Sequence, residues 1–154
     1  MSAHRTTVEW KRDGQAFIDK AYSRAHVWTF DGGAVVQGSS APESVPVPMS
    51  DVTAVDPEEA MVASLSSCHM LWFLAFAAGD GLVVDRYLDE ASGTLGRDDK
   101  GRRYMDKVTL RPVTTFFGVA PTQGELDALH HSAHEHCEMA HSVRAEILVE
   151  ASIG

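Results

Sequence analysis

A chain of 154 residues is the size of one domain and can bury a real core, and 44% hydrophobic content fits a globular protein. A formal charge of -9 with no basic run excludes nucleic acid as a partner, because phosphate binding needs clustered Lys and Arg. The longest apolar stretch, Ala60 to Ala78, is broken by Ser64, Ser66, Ser67 and His69 and reads as a buried core helix rather than a membrane span. The opening MSAHRTTVEWKRDG lacks the apolar segment of a secretory signal, so a cytoplasmic protein is expected.

In chain order, RTTVEWKR (Arg5 to Arg12) is β-rich and Asp13-Gly14 is a hairpin signal. In AYSRAHVWTFDGG, Tyr22, Arg24, His26, Trp28 and Phe30 alternate with Ala21, Ser23, Ala25, Val27 and Thr29. That alternation predicts a strand, closed by a turn at Asp31-Gly32-Gly33 and followed by a short third strand, Ala34 to Gln37. Pro42, Pro46 and Pro48 make the next segment an extended loop.

DPEEAMVASLSSCHMLWFLAFAAGDG then predicts a helix, with Asp56 as N-cap, Pro57 at the first helical position and Glu58 and Glu59 at the positive end of its dipole. It is apolar nearly all round, which predicts burial on most sides, and Gly79 and Gly81 end it. Two long strands follow, Leu82 to Leu95 and Tyr104 to Phe117, joined by the polar loop GRDDKGRR. A capping box at Thr122 and Glu125 opens a second helix running to about Met139, and SVRAEILVEASI is a final strand. The reading is a single α+β domain over 1–154 in the order β-β-β-α-β-β-α-β. So apolar a central helix in so small a domain needs cover from more than one sheet, which predicts a homodimer.

Both cysteines, Cys68 and Cys137, fall on predicted helices and could meet in space. In a reducing compartment a bonded pair is usually transient, catalytic or redox-sensing. The plainer alternative is that each packs as a small hydrophobe. In HHSAHEHCEMAH, His130, His134, Cys137 and His141 share one helical face if the helix lasts that long. His and Cys can ligate a transition metal, but one straight helix does not wrap four ligands round an ion, so a polar helix face is expected and no metal.

DPEEAMVASLSSC resembles the signature of the OsmC/Ohr family, the osmotically inducible and organic hydroperoxide resistance proteins, in which an NPE-like start leads to a helical cysteine. The second cysteine near a helix end and the terminal strand in CEMAHSVRAEILVE are similar too. The resemblance implies an intertwined homodimer with the cysteine helices packed between sheets. It also implies a thiol-dependent peroxidase: Cys68 attacks the O–O bond of an organic hydroperoxide, Cys137 resolves the sulfenic acid, Arg24 activates the thiolate and Glu58 orients Arg24. No cofactor is implied; the reductant would be a dithiol such as a lipoylated protein.

Ten residues of helix rise roughly 15 Å, so Glu58 can serve Cys68 only through Arg24 unless the helix begins late. Trp72 and Phe73 on the helix, Trp28 on the strand and His69 are the candidate substrate-pocket residues, an apolar mouth favouring alkyl or aryl hydroperoxides. The sequence departs from the family at His69, where an apolar residue is usual, and at Glu138, where proline is usual. The alternative function is a non-enzymatic redox-sensing, small-molecule-binding or metal-binding protein on the same fold.

Overall fold

A computed structural model describes residues 3–154, and the chain divides into two compact units, Met1–Ala60 and Met61–Gly154. In the first unit, β1 (Thr6–Glu9), β2 (His26–Phe30) and β3 (Val35–Gly38) form an antiparallel sheet in that order. The predicted Asp31-Gly32-Gly33 turn is present, with the Phe30 N–H on the Ala34 carbonyl at 2.9 Å and Gly33 at φ 88°. Asp13-Gly14 also turns, but it does not close a hairpin: β1 ends at Glu9 and its partner starts only at His26. Side-chain packing explains the difference. Trp10 leaves the strand to pack on Phe17 and Tyr22, at 5.7 and 5.3 Å between ring centroids, and its Nε1–H donates to the Ser23 carbonyl at 2.8 Å.

The helix α1 (Pro57–Gly79) starts where its sequence says. Asp56 accepts from the Glu59 N–H at 2.8 Å and Glu59 accepts from the Asp56 N–H at 3.1 Å, a reciprocal cap. By length and composition α1 is apolar enough to cross a membrane. Here one stripe of it, Leu65, His69, Phe73 and Ala77, supplies buried core positions, while Leu71 is 61% exposed. Burial on most sides is therefore not what a single chain shows.

The second unit holds β4 (Val83–Asp89), β5 (Ser92–Arg97), β6 (Arg103–Leu110) and β7 (Pro112–Phe117). The two predicted long strands are each bent once, and their antiparallel register carries across the bend without a slip, Asp89 opposite Pro112 and Ser92 opposite Thr109. Pro112 brings no N–H to a ladder. At the bend the Asp89 carboxylate takes the Arg111 N–H at 2.6 Å and the Ser66 hydroxyl at 2.5 Å. Arg111 donates to Ser92 and Glu150, at 2.9 and 3.0 Å. The helices α2 (Gln123–His136) and α3 (Glu138–His141) carry the chain to β8 (Glu146–Val149) and β9 (Ser152–Ile153). These last strands pair in parallel, β8 with β6 and β9 with β7.

Two apolar clusters sit on the buried stripe of α1. Leu65 packs with Met105, Val108, Leu110 and Ala145; Phe73 and Ala77 pack with Leu126, Leu129 and Ala133 of α2. Burying Phe73 alone contributes up to about 3 kcal/mol. The outcome is a mixed α+β fold whose central helix carries Cys68 midway along its length.

Candidate functional site

Cys68 lies midway along α1 on the face next to the buried stripe, and is half-buried. Cys137 is only 1% exposed. The predicted second helix stops at His136: Cys137 has an extended backbone, φ -73° and ψ 106°, and separates α2 from α3. The chain therefore turns at Cys137, and its sulfur accepts from the Ala140 N–H at 3.4 Å, capping α3. The break brings the two thiols together. Burial is the main cause that pushes the Cys137 thiol up to about 11, and the adjacent Cys68 thiol adds to it.

Beside them stands Glu138. The Cys68 thiol donates to Glu138 Oε2 at 3.6 Å, and the Trp72 Nε1–H donates to the same oxygen at 3.1 Å. Trp72 is the first cause that holds the Glu138 carboxyl below the usual carboxylate range, with Cys68 and His136 acting in the same direction. These residues open on a groove of about 510 Å³ lined by Ser64, Ser67, Cys68, Leu71, Trp72, Ala75 and Glu138. Its apolar wall is the exposed face of α1.

Two of the other predicted pocket residues, Phe73 and His69, lie in the core. Phe73 is fully buried, stacked on His130 at 4.3 Å between ring centroids. His69 is 1% exposed and shares a 2.9 Å hydrogen bond with His130, the two rings nearly parallel at 3°. Neither lines the groove. Burial is the main cause that pushes both rings down to about 4, so they are neutral at pH 7. His69 is thus a core residue satisfied by a second buried histidine. Trp28, in β2, packs 5.9 Å from His26 between ring centroids.

Arg24 lies just before β2 rather than in it, because its N–H is taken by the Met49 carbonyl at 2.8 Å. Its guanidinium sits 3.8 Å from the Tyr22 ring and donates to the Tyr22 carbonyl. Within the first unit, Arg24 and Glu58 line one cavity of about 600 Å³ with Trp10, Phe17, Tyr22 and His26. No ion pair joins Arg24 to Glu58 among the described residues. The helix begins at Pro57, so a late start does not bring Glu58 to Cys68.

The turn at Cys137 also removes the shared face of His130, His134, Cys137 and His141. His130 and His134 line a separate cleft of about 280 Å³ with Asp127 and His131, while His141 donates to the Glu135 carbonyl at 2.9 Å. Among the described residues no group of three or more His, Cys, Asp or Glu is arranged to hold a metal ion.

Sequence reasoning singled out both cysteines and Trp72 but missed Glu138 as their neighbour. A signal was present for the groove: positions 64, 67, 68, 71, 72 and 75 recur at helical spacing on one face of α1. Nothing local points Glu138 at Cys68, seventy residues away.

Residues 50–152 match the family model described as OsmC-like protein. No curated protein matches this chain. Among solved structures, an OsmC-like protein of unknown function from Vibrio cholerae is 50% identical, with 99% of this chain and 100% of that one covered and a TM-score of 0.96. An organic hydroperoxide resistance protein from Elizabethkingia anophelis, with thiocyanate bound, shares 17% identity over 100% of this chain and 96% of that one at a TM-score of 0.71. The organic hydroperoxide resistance protein OhrB of Bacillus subtilis shares 17% identity over 98% of each chain at a TM-score of 0.67. At that identity these two speak for the fold alone. The family match and the half-identical relative of equal extent together show that this chain belongs to the OsmC-like protein family.

Proposed function

We propose that the protein is a thiol-dependent peroxidase that reduces organic hydroperoxides through Cys68 and Cys137. The observation that carries this reading is the pairing itself: a half-exposed thiol at an apolar groove, beside a buried second thiol at the break between α2 and α3. Packing alone does not call for two neighbouring thiols at the edge of an apolar groove, whereas a peroxidatic and a resolving cysteine need that arrangement.

Cys68 attacks the hydroperoxide and becomes a sulfenic acid; the Cys137 thiol condenses with it, forming a disulfide and releasing water. A dithiol reductant of the lipoyl type then opens the disulfide by exchange. Leu71, Trp72 and Ala75 offer the alkyl or aryl group an apolar wall. Arg24 activates the peroxidatic thiol and Glu58 orients Arg24. The working form is a homodimer of a single OsmC-like domain in the cytoplasm. The outward side of α1, with Leu71 61% exposed, supports the dimer as a surface a partner subunit would cover.

The test is one equivalent of cumene hydroperoxide added to reduced protein, followed by intact mass and free-thiol count. Loss of two hydrogens and of both thiols, restored by dihydrolipoamide, is expected, and Cys68→Ser removes the reaction. Two unmodified thiols in the parent protein, or hydroperoxide consumption by Cys68→Ser at the parent rate, would overturn the reading.

A further inference from the structure

We propose that Glu138 is a catalytic proton carrier for Cys68, taking the thiol proton as sulfur attacks and returning it to the departing oxygen. This deepens the peroxidase reading and rests on it. One oxygen of the carboxylate, Oε2, stands 3.6 Å from the reacting sulfur and is fixed there by the Trp72 indole N–H at 3.1 Å. Glu138 is the one charged side chain among the residues that line the groove, whose wall is otherwise Leu71, Trp72, Ala75 and the small serines. A carboxylate so placed has lone pairs left for a second hydrogen bond, to the hydroperoxide.

The chemistry needs a carrier. The sulfur of Cys68 attacks the terminal, hydrogen-bearing oxygen of R–O–O–H; an S–O bond forms, the O–O bond breaks, and sulfur is oxidised by two electrons as the peroxide is reduced. The products are Cys68–S–OH and R–O⁻. The thiol proton passes to the Glu138 carboxylate and from it to R–O⁻, giving the alcohol, so that thiol plus hydroperoxide becomes sulfenic acid plus alcohol with nothing left over. The carboxylate is a much weaker base than an alkoxide and also weaker than an ordinary thiolate. The proton therefore moves with O–O cleavage rather than before it. A thiolate formed beforehand would face the carboxylate as a like charge.

The neighbours favour this. Trp72 holds the carboxyl in its ionised, proton-accepting form, and His136 faces it from α2. The position carries glutamate directly after the resolving cysteine, so the same break that presents Cys137 to Cys68 presents Glu138 as well.

The experiment compares the parent protein with Glu138→Gln, whose amide oxygen still accepts from Trp72 but takes no proton. Oxidation of the reduced proteins by cumene hydroperoxide is followed by rapid mixing from pH 5.5 to 8. In parallel, alkylation of Cys68 by iodoacetamide is followed in a Cys137→Ser background. General acid–base catalysis is worth about a hundredfold or more. Glu138→Gln is therefore expected to oxidise about a hundredfold more slowly at pH 7. Its rate should rise with pH as a preformed thiolate takes over, where the parent profile is flat. Alkylation also needs the thiol proton removed but expels iodide and needs no acid, so Glu138→Gln should slow alkylation much less than oxidation.

Oxidation of Glu138→Gln at the parent rate and with the parent profile would overturn the proposal. So would equal slowing of oxidation and alkylation, because the departing alkoxide would then gain nothing from a proton carried by Glu138. A parent protein that is alkylated but not oxidised would overturn the peroxidase reading itself, and this role with it.

Discussion

Lowering the pH from 7 to 5 should remove roughly 2–4 kcal/mol of stability, through the buried pair His69 and His130. Both rings are folded in a neutral state, their pKa pushed from 6.5 down to about 4 chiefly by burial. Such a base in the unfolded chain binds a proton near 6.5, while the folded ring does not until about pH 4. The unfolded state therefore holds more protons between those values. The stabilisation is complete above 6.5 and is lost as the pH falls towards 4. For one ring the loss between pH 7 and 5 comes to about 2 kcal/mol. The rings are 1% and 3% exposed, so solvent screening takes little from this figure. Part of the His130 value is repulsion from His69 itself, so the pair contributes less than two independent rings at the lower end of the range. Asp51, Asp98, Glu125 and Glu138 are all held below the usual carboxylate values in the fold and stay ionised through this window. Urea unfolding at pH 5, 6 and 7 measures the effect, and with a slope of about 2 kcal/mol/M the midpoint should fall by roughly 1–2 M. An unchanged midpoint, or NMR titration of either ring near 6.5 in the folded protein, would refute the reasoning.

Three further outcomes follow from named contacts. Cys137→Ser, treated with one equivalent of cumene hydroperoxide, should gain one oxygen at Cys68 instead of losing two hydrogens, since the sulfenic acid has no neighbour to condense with; intact mass reads the difference. Thr122→Ala removes the acceptor for the Glu125 N–H in the cap of α2 and should cost about 1 kcal/mol, a fall of roughly 2–4 °C in Tm. Gly93→Ala sets a methyl group 2.6 Å from Met105 Sδ and 2.7 Å from Val62 Cγ2. Met105 can yield but the branched Val62 is stiff, so a loss of about 1–3 kcal/mol in chemical denaturation is expected.

Much of the fold was legible where the signal is local. Asp56 with Glu59 and Thr122 with Glu125 mark both long helices by reciprocal caps, and both are formed. The alternation in β2 and in the long hairpin gave strands in the right order. What the sequence hid is set by distant partners. Trp10 leaves its strand for Phe17 and Tyr22, and the bend at Asp89 and Arg111 depends on Ser66 of α1 and on Glu150, between β8 and β9. No Gly or Pro announces the helix break at Cys137, so the histidine periodicity of α2 reads straight through it. His69 departs from the family pattern beside Cys68, and its reason is a ring sixty-one positions later.

The junction at Cys137 joins thiol chemistry to the backbone. Its sulfur receives the Ala140 amide proton and so helps hold the single turn of α3. A sulfur bonded to Cys68 has to give up some of that alignment. The oxidised protein should then loosen α3, and the Ala140 amide should exchange its hydrogen faster than in the reduced protein. One peptide proton thereby becomes an internal gauge of electron flow through the pair, readable without touching either cysteine.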